Sequence, residues 1–264
     1  MKKHFIIGNP VEHSLSPKIH NYWFKKYNII ANYEKFKLEE NQIKDIIDDI
    51  KSEKVFALNV TVPFKQKVIP FIDILTPIAK QTGSVNTIYK KKGKVLGDNT
   101  DVTGFELSIK NSNFSIKNKS AFILGAGGVV PSIIKALQNL KIKKIYLSNR
   151  TIQKAKQLQK MFEDIEIINW GQIINFDIII NATSIGLKKM DKFNFDFSPI
   201  GKNKFFYDVI YNPPETNFLI EAKKFKHSTQ NGKMMFIYQA QKSFEIWHDI
   251  KPQIDDNLIK YLYD

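Results

Sequence analysis

The stretch AFILGAGGVVPSIIKAL, residues 121–137, decides the fold of this chain. Its first four residues are apolar, as in a buried strand, and they run directly into the turn Gly125-Ala126-Gly127-Gly128. An apolar segment with helical periodicity follows, so the pattern predicts a strand, a tight turn and a helix. Glycines in such a turn let the backbone approach a pyrophosphate at the helix N-terminus. The alternative is a turn without a ligand, because Val130 occupies the third glycine position of the GxGxxG fingerprint.

A second nucleotide signal lies 24 residues after Gly125, at the end of the next predicted strand. A dinucleotide-binding domain of the Rossmann type reads the adenosine ribose about 20 residues after its glycine turn. This chain has Asn149-Arg150-Thr151 there, followed by Lys154, and no acidic residue. A guanidinium, a hydroxyl and an ammonium suit a 2′-phosphate, so NADP is predicted over NAD. The alternative is that Thr151 caps the next helix and Arg150 is simply exposed.

The α/β alternation continues on the C-terminal side of this turn. After the helix that ends near Leu140, the periodicity predicts one more helix and four strands: helix Ile152–Phe162 and strands Lys144–Ser148, Glu166–Asn169, Asp177–Asn181 and Phe205–Ile210. This second half of the chain is therefore predicted to be one α/β unit.

The first hundred residues show the same alternation. Short β-branched runs predict strands His4–Ile7, Tyr33–Leu38 and Val55–Val62, and periodic segments predict helices Ser16–Tyr27 and Asn41–Lys51. Ser16 suits an N-cap and Pro17 the first helical position. A hairpin is predicted from Val85–Lys90 and Lys94–Gly97, joined through Gly93, on the edge of the sheet. The tail, residues 232–249 and 252–263, is predicted to form two helices that return to this first domain.

The predicted fold is α/β with two α/β domains, as the length of 264 residues also suggests. One domain, residues 1–101 plus 234–264, has a mainly parallel sheet closed by the C-terminal helices. The other, residues 102–233, is of the Rossmann type, and we expect a ligand site in the cleft between the two.

Composition excludes several classes of protein. The net charge of +14 comes from 40 basic and 26 acidic residues, but Arg150 is the only arginine. Nucleic-acid readers favour arginine for bidentate contacts, so no nucleic-acid partner is expected. There is no cysteine, no HExxH pair among the five histidines and no apolar run of about 18 residues. We therefore expect no metal site, no membrane span and a cytoplasmic protein.

Polar residues cluster near the end of the third predicted strand. Asn59 and Thr61 share one face of that strand, and Lys65 is expected in the first turn of a short helix closed by Pro70. There a cation would oppose the helix dipole. Three further segments are rich in small polar groups, namely residues 14–17, 83–87 and 97–104. N-caps at Ser16 and Asp101 and a tight turn are the plain explanation, and a pocket for a small polyhydroxylated anion is the functional one.

Nine ordered motifs make the whole chain resemble the shikimate dehydrogenase family. They are SLSP (14–17), NVTVPFK (59–65), SVNT (84–87), GDNTD (97–101), GAGG (125–128), NRT (149–151), NATSIG (181–186), YDVIYNPPET (207–216) and NGKMMFIYQAQKSFEIW (231–247). The resemblance implies a reversible, NADP-linked reduction of 3-dehydroshikimate to shikimate, a step of chorismate and aromatic amino acid biosynthesis. It also implies that the N-terminal domain binds the substrate and the Rossmann-type domain binds NADP.

The resemblance also implies roles for particular residues. Lys65 and Asp101 would be the catalytic pair, and the substrate would be held by Ser14, Ser16, Asn59, Thr61, Lys65, Asn86, Asp101, Tyr211 and Gln239. The pyrophosphate would meet Gly125, Ala126, Gly127, Gly128 and Val129, and the 2′-phosphate would meet Asn149, Arg150, Thr151 and Lys154. Val209, Gly232 and Met235 would lie on the nicotinamide side. The chain departs from the family pattern in Val129-Val130-Pro131, where alanine usually follows the glycines, and in Lys154, where arginine is common.

Three alternatives remain open from the sequence. The first is an NAD-using quinate/shikimate dehydrogenase, against which the lack of an acidic residue at 149 or 150 counts. The second is a catalytically silent ligand-sensing relative, which retention of Lys65 and Asp101 disfavours. The third is a basic nucleic-acid binder, for which a platform of aromatic and arginine residues is missing. A small-molecule substrate and a monomer or homodimer are expected.

Overall fold

The computed structural model describes residues 1–197 and 200–263 of the chain. They form two compact units, Met1–Gly104 with Ile237–Asp264 and Phe105–Phe236. The first unit is thus built from two separate pieces of chain, and the second from one continuous piece. The predicted division of roles between a substrate domain and a cofactor domain stays a prediction.

The helices and strands alternate along the chain. From the N-terminus they are β1 (Lys2–Gly8), α1 (Ser16–Lys26), β2 (Ala31–Lys37), α2 (Ile43–Lys51), β3 (Ala57–Val60), β4 (Ile74–Leu75), α3 (Pro77–Thr82), β5 (Thr87–Lys91), β6 (Lys94–Asp98) and α4 (Thr100–Lys110). They continue with β7 (Ser120–Leu124), α5 (Val130–Asn139), β8 (Lys144–Ser148), α6 (Ile152–Met161), β9 (Ile165–Ile167), β10 (Ile178–Asn181), β11 (Phe205–Asp208), α7 (Asn217–Lys224), β12 (Ser228–Gln230), α8 (Lys233–His248) and α9 (Asp256–Tyr263).

The sheet of the first unit has the strand order β2-β1-β3-β5-β6-β4. Strands β2, β1 and β3 are parallel, whereas β5 pairs antiparallel with both β3 and β6. The prediction of a mainly parallel sheet with a hairpin is confirmed, but the hairpin is not at the edge. The two-residue strand β4 pairs with β6 and forms the edge instead. A strand that short has no recognisable alternation.

Helix α2 covers the sheet of the first unit with one apolar face. Its isoleucines at positions 43, 46, 47 and 50 are all buried, as their helical spacing predicts. They belong to a core that includes Leu58 and Val60 of β3 and Ile88 of β5. Burying one such side chain contributes roughly 1.5–3 kcal/mol, so this face fixes the helix on the sheet.

Three histidines lie within an aromatic core of the same unit. His4 and His20 are fully buried, and the ring centroids of His4 and His248 are 5.2 Å apart. Trp247 lies 5.4 Å from the ring of His4 and 5.1 Å from that of His20. Within the described residues, four ring nitrogens of these histidines have no hydrogen-bond partner. Burial lowers the pKa of His4 to about 3 and of His248 to about 4, and it lowers the pKa of His20 well below its ordinary value.

We expect acid to destabilise the protein partly through His20. The unfolded chain takes up a proton at this residue near pH 6.5, but the folded protein does not. The neutral ring therefore contributes its full stabilisation above pH 6.5. Below that pH, the free energy of unfolding falls by about 1.4 kcal/mol per pH unit. His20→Phe should shrink the difference in Tm between pH 7 and pH 5. His13→Phe, at an exposed position, is the control, and an undiminished difference in His20→Phe would contradict the expectation.

The sheet of the second unit is entirely parallel, in the order β12-β11-β10-β7-β8-β9. Numbered within the unit, this is the strand order 3-2-1-4-5-6 of dinucleotide-binding folds. The order reverses between β7 and β10, and ligands bind beyond the carboxyl ends of strands at such a point. The predicted glycine turn follows β7 directly. The predicted Rossmann-type unit is therefore confirmed.

A search of the described residues finds no helix with the length and hydropathy of a membrane span.

Candidate functional site

A lysine and an aspartate form a buried ion pair in the first unit. Lys65 Nζ lies 2.5 Å from Asp101 Oδ2, and the two side chains are 11% and 8% exposed. Asp101 Oδ1 accepts a second hydrogen bond from Asn86 Nδ2 at 2.8 Å. Both carboxylate oxygens are thus held by donors, which fixes the orientation of the carboxylate beside the ammonium. The structure brings together the two residues predicted as a catalytic pair.

Lys65 lies in a series of turns after β3. The prediction of a helix in this segment is wrong, because residues 62–68 form turns and a 3₁₀ turn begins only at Ile69. Phe64 and Val68 are buried in the core of the unit, and Lys65 O accepts from Val85 N at 2.9 Å. The position of Lys65 is therefore set by core contacts and by the chain before β5, not by a helix. No helix dipole of its own segment acts on this ammonium.

Asn86 joins the ion pair to the start of α4. Its Oδ1 accepts from the backbone N of Thr100 at 2.7 Å, and its Nδ2 donates to Thr100 Oγ1 as well as to Asp101. The suggested N-cap role of Asp101 is wrong, because α4 begins at Thr100 and Asp101 lies in its first turn. Asn86 Nδ2 is also 3.5 Å from Gln239 Oε1, so it brings a second predicted substrate residue to this group.

Asn59 is the polar residue at the centre of the same network. Its Nδ2 donates to Asn86 O and to Ser243 Oγ, both at 3.1 Å. Its Oδ1 accepts from the hydroxyl of Tyr33 at 2.7 Å. Because both amide hydrogens are used within the protein, Asn59 can meet a ligand in this arrangement only as an acceptor. Ser243 Oγ also lies 3.0 Å from Thr100 Oγ1, which closes the network.

Ser14 and Ser16 lie together at the start of α1. Ser14 Oγ donates to Ser16 Oγ at 3.1 Å and accepts from Ser16 N at 3.2 Å. The predicted N-cap at Ser16 is wrong, because Leu15 is the N-cap and Ser16 is the first helical residue. The chain turns at Ser14, and the hydroxyl of Ser14, not that of Ser16, accepts a hydrogen bond from the first amide of the helix, Ser16 N. Two hydroxyls are thereby placed side by side, as binding of one carboxylate requires.

The remaining substrate candidates fall in both units. Thr61 is half-buried in the first unit, and its backbone N donates to Ile7 O at 2.9 Å. Gly8 next to it leaves room for this side chain, because a Cβ at Gly8 would lie 2.4 Å from Thr61 Cγ2. Tyr211 belongs to the second unit, where its ring stacks on Phe236 at 4.7 Å.

The glycine turn of the second unit has the backbone that a pyrophosphate site needs. Gly125 has a φ of +111°, and a Cβ there would lie 2.7 Å from Ala182 O, so only glycine fits. Gly127 is exposed, with no atom closer than 4.0 Å to its Cβ position. Helix α5 begins at Val130, and its N-cap Val129 provides no side-chain cap. Within the first turn of α5, Val130 N donates to Gly127 O at 3.0 Å and Ser132 N donates to Val129 O at 3.1 Å, while Pro131 has no N–H.

A buried carboxylate holds the two loops beyond β10 and β11. Asp208 accepts from Asn181 Nδ2 at 3.1 Å, from Ile210 N at 3.0 Å and from Thr216 Oγ1 at 2.6 Å. Burial raises the pKa of Asp208 to about 6, although these three hydrogen bonds favour the charged form. Between about pH 6 and pH 4, the folded protein therefore carries a proton on Asp208, whereas the unfolded chain does not. That uptake offsets part of the acid destabilisation from the histidines.

The predicted nicotinamide-side residues lie in the loop after β11 and at the start of α8. Val209 follows Asp208, and a Cβ at Gly232 would lie only 2.1 Å from Val209 O. Gly232 N donates to Ile210 O at 3.0 Å, and Met235 in the next helical turn is buried. The close backbone contact explains why position 232 is a glycine, and it places Val209 and Gly232 side by side.

Asn149, Arg150, Thr151 and Lys154 lie together at the N-terminus of α6. Thr151 is the N-cap by its backbone, but its hydroxyl makes no capping hydrogen bond. Asn149 Nδ2 donates to Thr151 O at 2.8 Å. Arg150, Thr151 and Lys154 are exposed, and no ion pair in the described chain uses the Arg150 guanidinium. A helix N-terminus with two cations and an uncommitted hydroxyl is suited to a phosphate.

Several residues of these networks were not predicted as site residues. Thr100, Asn181, Thr216 and Ser243 stand inside the quoted motifs, so the motifs contained a signal for them. Tyr33 stands outside every motif, and nothing in its local sequence distinguishes it from a core residue. In residues 1–197 and 200–263 no group of three or more His, Asp or Glu is arranged to hold a metal ion.

Comparison with known proteins finds matches in both units. A family model described as Shikimate dehydrogenase substrate binding domain matches residues 6–88. A second, described as Shikimate / quinate 5-dehydrogenase, matches residues 107–209. The chain is 60% identical over 263 residues to the shikimate dehydrogenase (NADP(+)) of Pelagibacter ubique, with 99% of each chain covered.

Solved structures show the same fold. The crystal structure of shikimate dehydrogenase from Aquifex aeolicus matches with a TM-score of 0.93 and 34% identity, covering 100% of this chain and 98% of that one. A shikimate dehydrogenase crystallised in complex with NADP+ matches with a TM-score of 0.88 and 33% identity, covering 99% and 94%.

Proposed function

The chain belongs to the shikimate dehydrogenase family, and we propose that Lys65 and Asp101 are the catalytic pair of its reaction. The enzyme is an NADP-linked oxidoreductase that interconverts 3-dehydroshikimate and shikimate. The observation that carries the proposal is the buried ion pair, 2.5 Å long, with both oxygens of Asp101 occupied by donors. A lysine held this way keeps one fixed orientation.

Lys65 would act on the oxygen of the substrate carbonyl. In reduction, the carbonyl carbon gains a hydride and its oxygen develops negative charge, which the ammonium stabilises and then protonates. Asp101 takes up one of the three N–H donors of Lys65, and in the described contacts the other two stay available to a ligand. The carboxylate orients the ammonium. In the reverse direction, the same nitrogen must receive the hydroxyl proton.

The other polar residues of the first unit would hold the ring acid. Ser14 and Ser16 offer two adjacent hydroxyls for its carboxylate. Asn59 and Thr61 would meet the ring hydroxyls, with Asn59 as an acceptor, and Asn86 and Gln239 complete the same group. The second unit would contribute Tyr211.

The residues of the second unit fit NADP. The turn at Gly125 to Val129 would hold the pyrophosphate, and the start of α6 would hold the 2′-phosphate through Arg150 and Lys154. Bound NADPH supplies the hydride of the reaction. The contact between Val209 and Gly232 would give the nicotinamide ring a rigid neighbour, since Asp208 fixes the loop from within.

We expect purified protein to oxidise shikimate with NADP+ at least tenfold more efficiently, in kcat/KM, than with NAD+. The reason is the pair of cations at the start of α6, together with the absence of a carboxylate at positions 149 and 150. The assay follows absorbance of the reduced cofactor, with quinate as the competing substrate. Preference for NAD+ would support the quinate/shikimate alternative, and no turnover with either cofactor would support a silent ligand sensor.

A cytoplasmic location, a monomeric or homodimeric state and the absence of a nucleic-acid partner also stay proposals. The scattered lysines and the single arginine support the last of these.

A further inference from the structure

The side chain of Tyr33 crosses the sheet of the first unit. Tyr33 is on β2 and Asn59 is on β3, and β1 lies between these two strands. The Tyr33 hydroxyl nevertheless donates to Asn59 Oδ1 at 2.7 Å, in a fully buried position. The phenol oxygen thus contacts a predicted substrate residue that lies 26 positions away in the sequence.

The hydrogen bonds of this group have a fixed direction. Asn59 Nδ2 donates to the carbonyl Asn86 O, so the amide orientation is set and its Oδ1 must accept from Tyr33. The order of donation, Tyr33 to Asn59 to Asn86, therefore follows from a single backbone carbonyl.

Helix α1 holds Tyr33 in place from two sides. The ring of His20 stacks on the ring of Tyr33 at 4.5 Å, with 3° between the planes. The side-chain amide of Asn21 donates to Tyr33 O at 2.9 Å and accepts from Tyr33 N at 3.0 Å. Its ring and its backbone are both fixed, so the hydroxyl has one position. A buried tyrosine needed only for packing would not require this alignment.

We infer that Tyr33 is a positioning residue of the substrate site, which holds the Asn59 amide in the orientation that binds the ring acid. The inference rests on the proposed function, because that function assigns Asn59 to a ring hydroxyl. Tyr33 itself does not touch the reacting atoms. Its effect is on the affinity for the substrate, through the side chain that it aligns.

The test is Tyr33→Phe, which removes the hydroxyl alone. We expect the KM for shikimate to rise about tenfold, the loss of roughly one buried hydrogen bond, while the dissociation constant for NADP+ stays unchanged. The matched control is Tyr207→Phe. Tyr207 is also fully buried, and its hydroxyl lies 2.9 Å from Ser108 Oγ in the second unit. Both variants should lower Tm, and only Tyr33→Phe should raise the KM for shikimate.

Two outcomes overturn the inference. An unchanged KM for shikimate in Tyr33→Phe would leave Tyr33 with a structural role, and so would an equal rise in both variants. Asn59→Ala provides the second measurement, because its effect on KM should be smaller in the Tyr33→Phe background than in the wild type. Additive effects would contradict the coupling. If the wild-type protein did not oxidise shikimate, the proposed function would fail first, and that result is seen before any variant is made.

Discussion

Lys65→Ala is expected to lower kcat for shikimate oxidation by about 100- to 1000-fold, the usual cost of losing one donor to a developing oxyanion. NADP+ should bind as in the wild type, since the residues assigned to the cofactor lie in the second unit. The measurement is steady-state kinetics together with a fluorescence titration of NADP+. Lys67→Ala is the control two residues along, because Lys67 is exposed and pairs with Glu40. A kcat within threefold of the wild type would remove Lys65 from the mechanism.

Loss of Lys65 also leaves a buried carboxylate without its cation. Breaking a buried pair on one side costs roughly 3–5 kcal/mol of stability, so Lys65→Ala should also lower Tm. The double variant Lys65→Met with Asp101→Asn removes both charges and should recover most of that loss. Its kcat should stay as low as that of Lys65→Ala. Recovery of kcat along with Tm would mean that the pair serves folding, not catalysis.

Arg150→Ala is expected to raise the KM for NADP+ by about 10- to 100-fold and to change the KM for shikimate little. The guanidinium is exposed at the start of α6, and a lost charge-assisted hydrogen bond costs about 1.5–3 kcal/mol. Arg150→Lys keeps the charge but lacks the planar guanidinium. Its KM for NADP+ should therefore lie between those of the wild type and Arg150→Ala. The KM for NAD+ should stay the same, because NAD+ has no 2′-phosphate.

Lys160→Ala is the charge-matched control for this variant. Lys160 is an exposed residue in the last turn of the same helix, about 15 Å from Arg150 by the helical rise. Lys160→Ala changes the net charge by the same amount as Arg150→Ala. If the two variants changed the KM for NADP+ and the KM for NAD+ equally, Arg150 would have no specific role.

Local patterns predicted the elements with strong periodicity. The isoleucine face of α2, the strand β8 and the strand–turn–helix at Gly125 all have spacings that few other structures tolerate. The two-residue β4 and three-residue β12 were missed, because such short strands form only through pairing with a neighbour. The helix expected after Pro63 does not form. A segment closed by two prolines seven residues apart in sequence offers too few hydrogen bonds to offset helix nucleation.

The site was predictable in part for a different reason. Lys65 and Asp101 were named from motifs, and the structure brings them together across 36 positions of sequence. Tyr33 and Ser243 contact Asn59 across 26 and 184 positions, which no local pattern expresses. A hydroxyl that acts through another side chain produces no recognisable pattern of spacing in the sequence. Such hydroxyls become visible only when the hydrogen bonds of each buried polar atom are traced.

The division of the first unit into two pieces of chain has a consequence for biosynthesis. The second unit is continuous, so all of its strands have left the ribosome before residue 237 does. The first unit can be completed only after α8 has been synthesised. Ser243 of α8 completes the hydrogen bonds of Asn59, and Trp247 of α8 packs on His4 and His20. We therefore expect the second unit to fold before the first during synthesis, although the chain begins in the first unit.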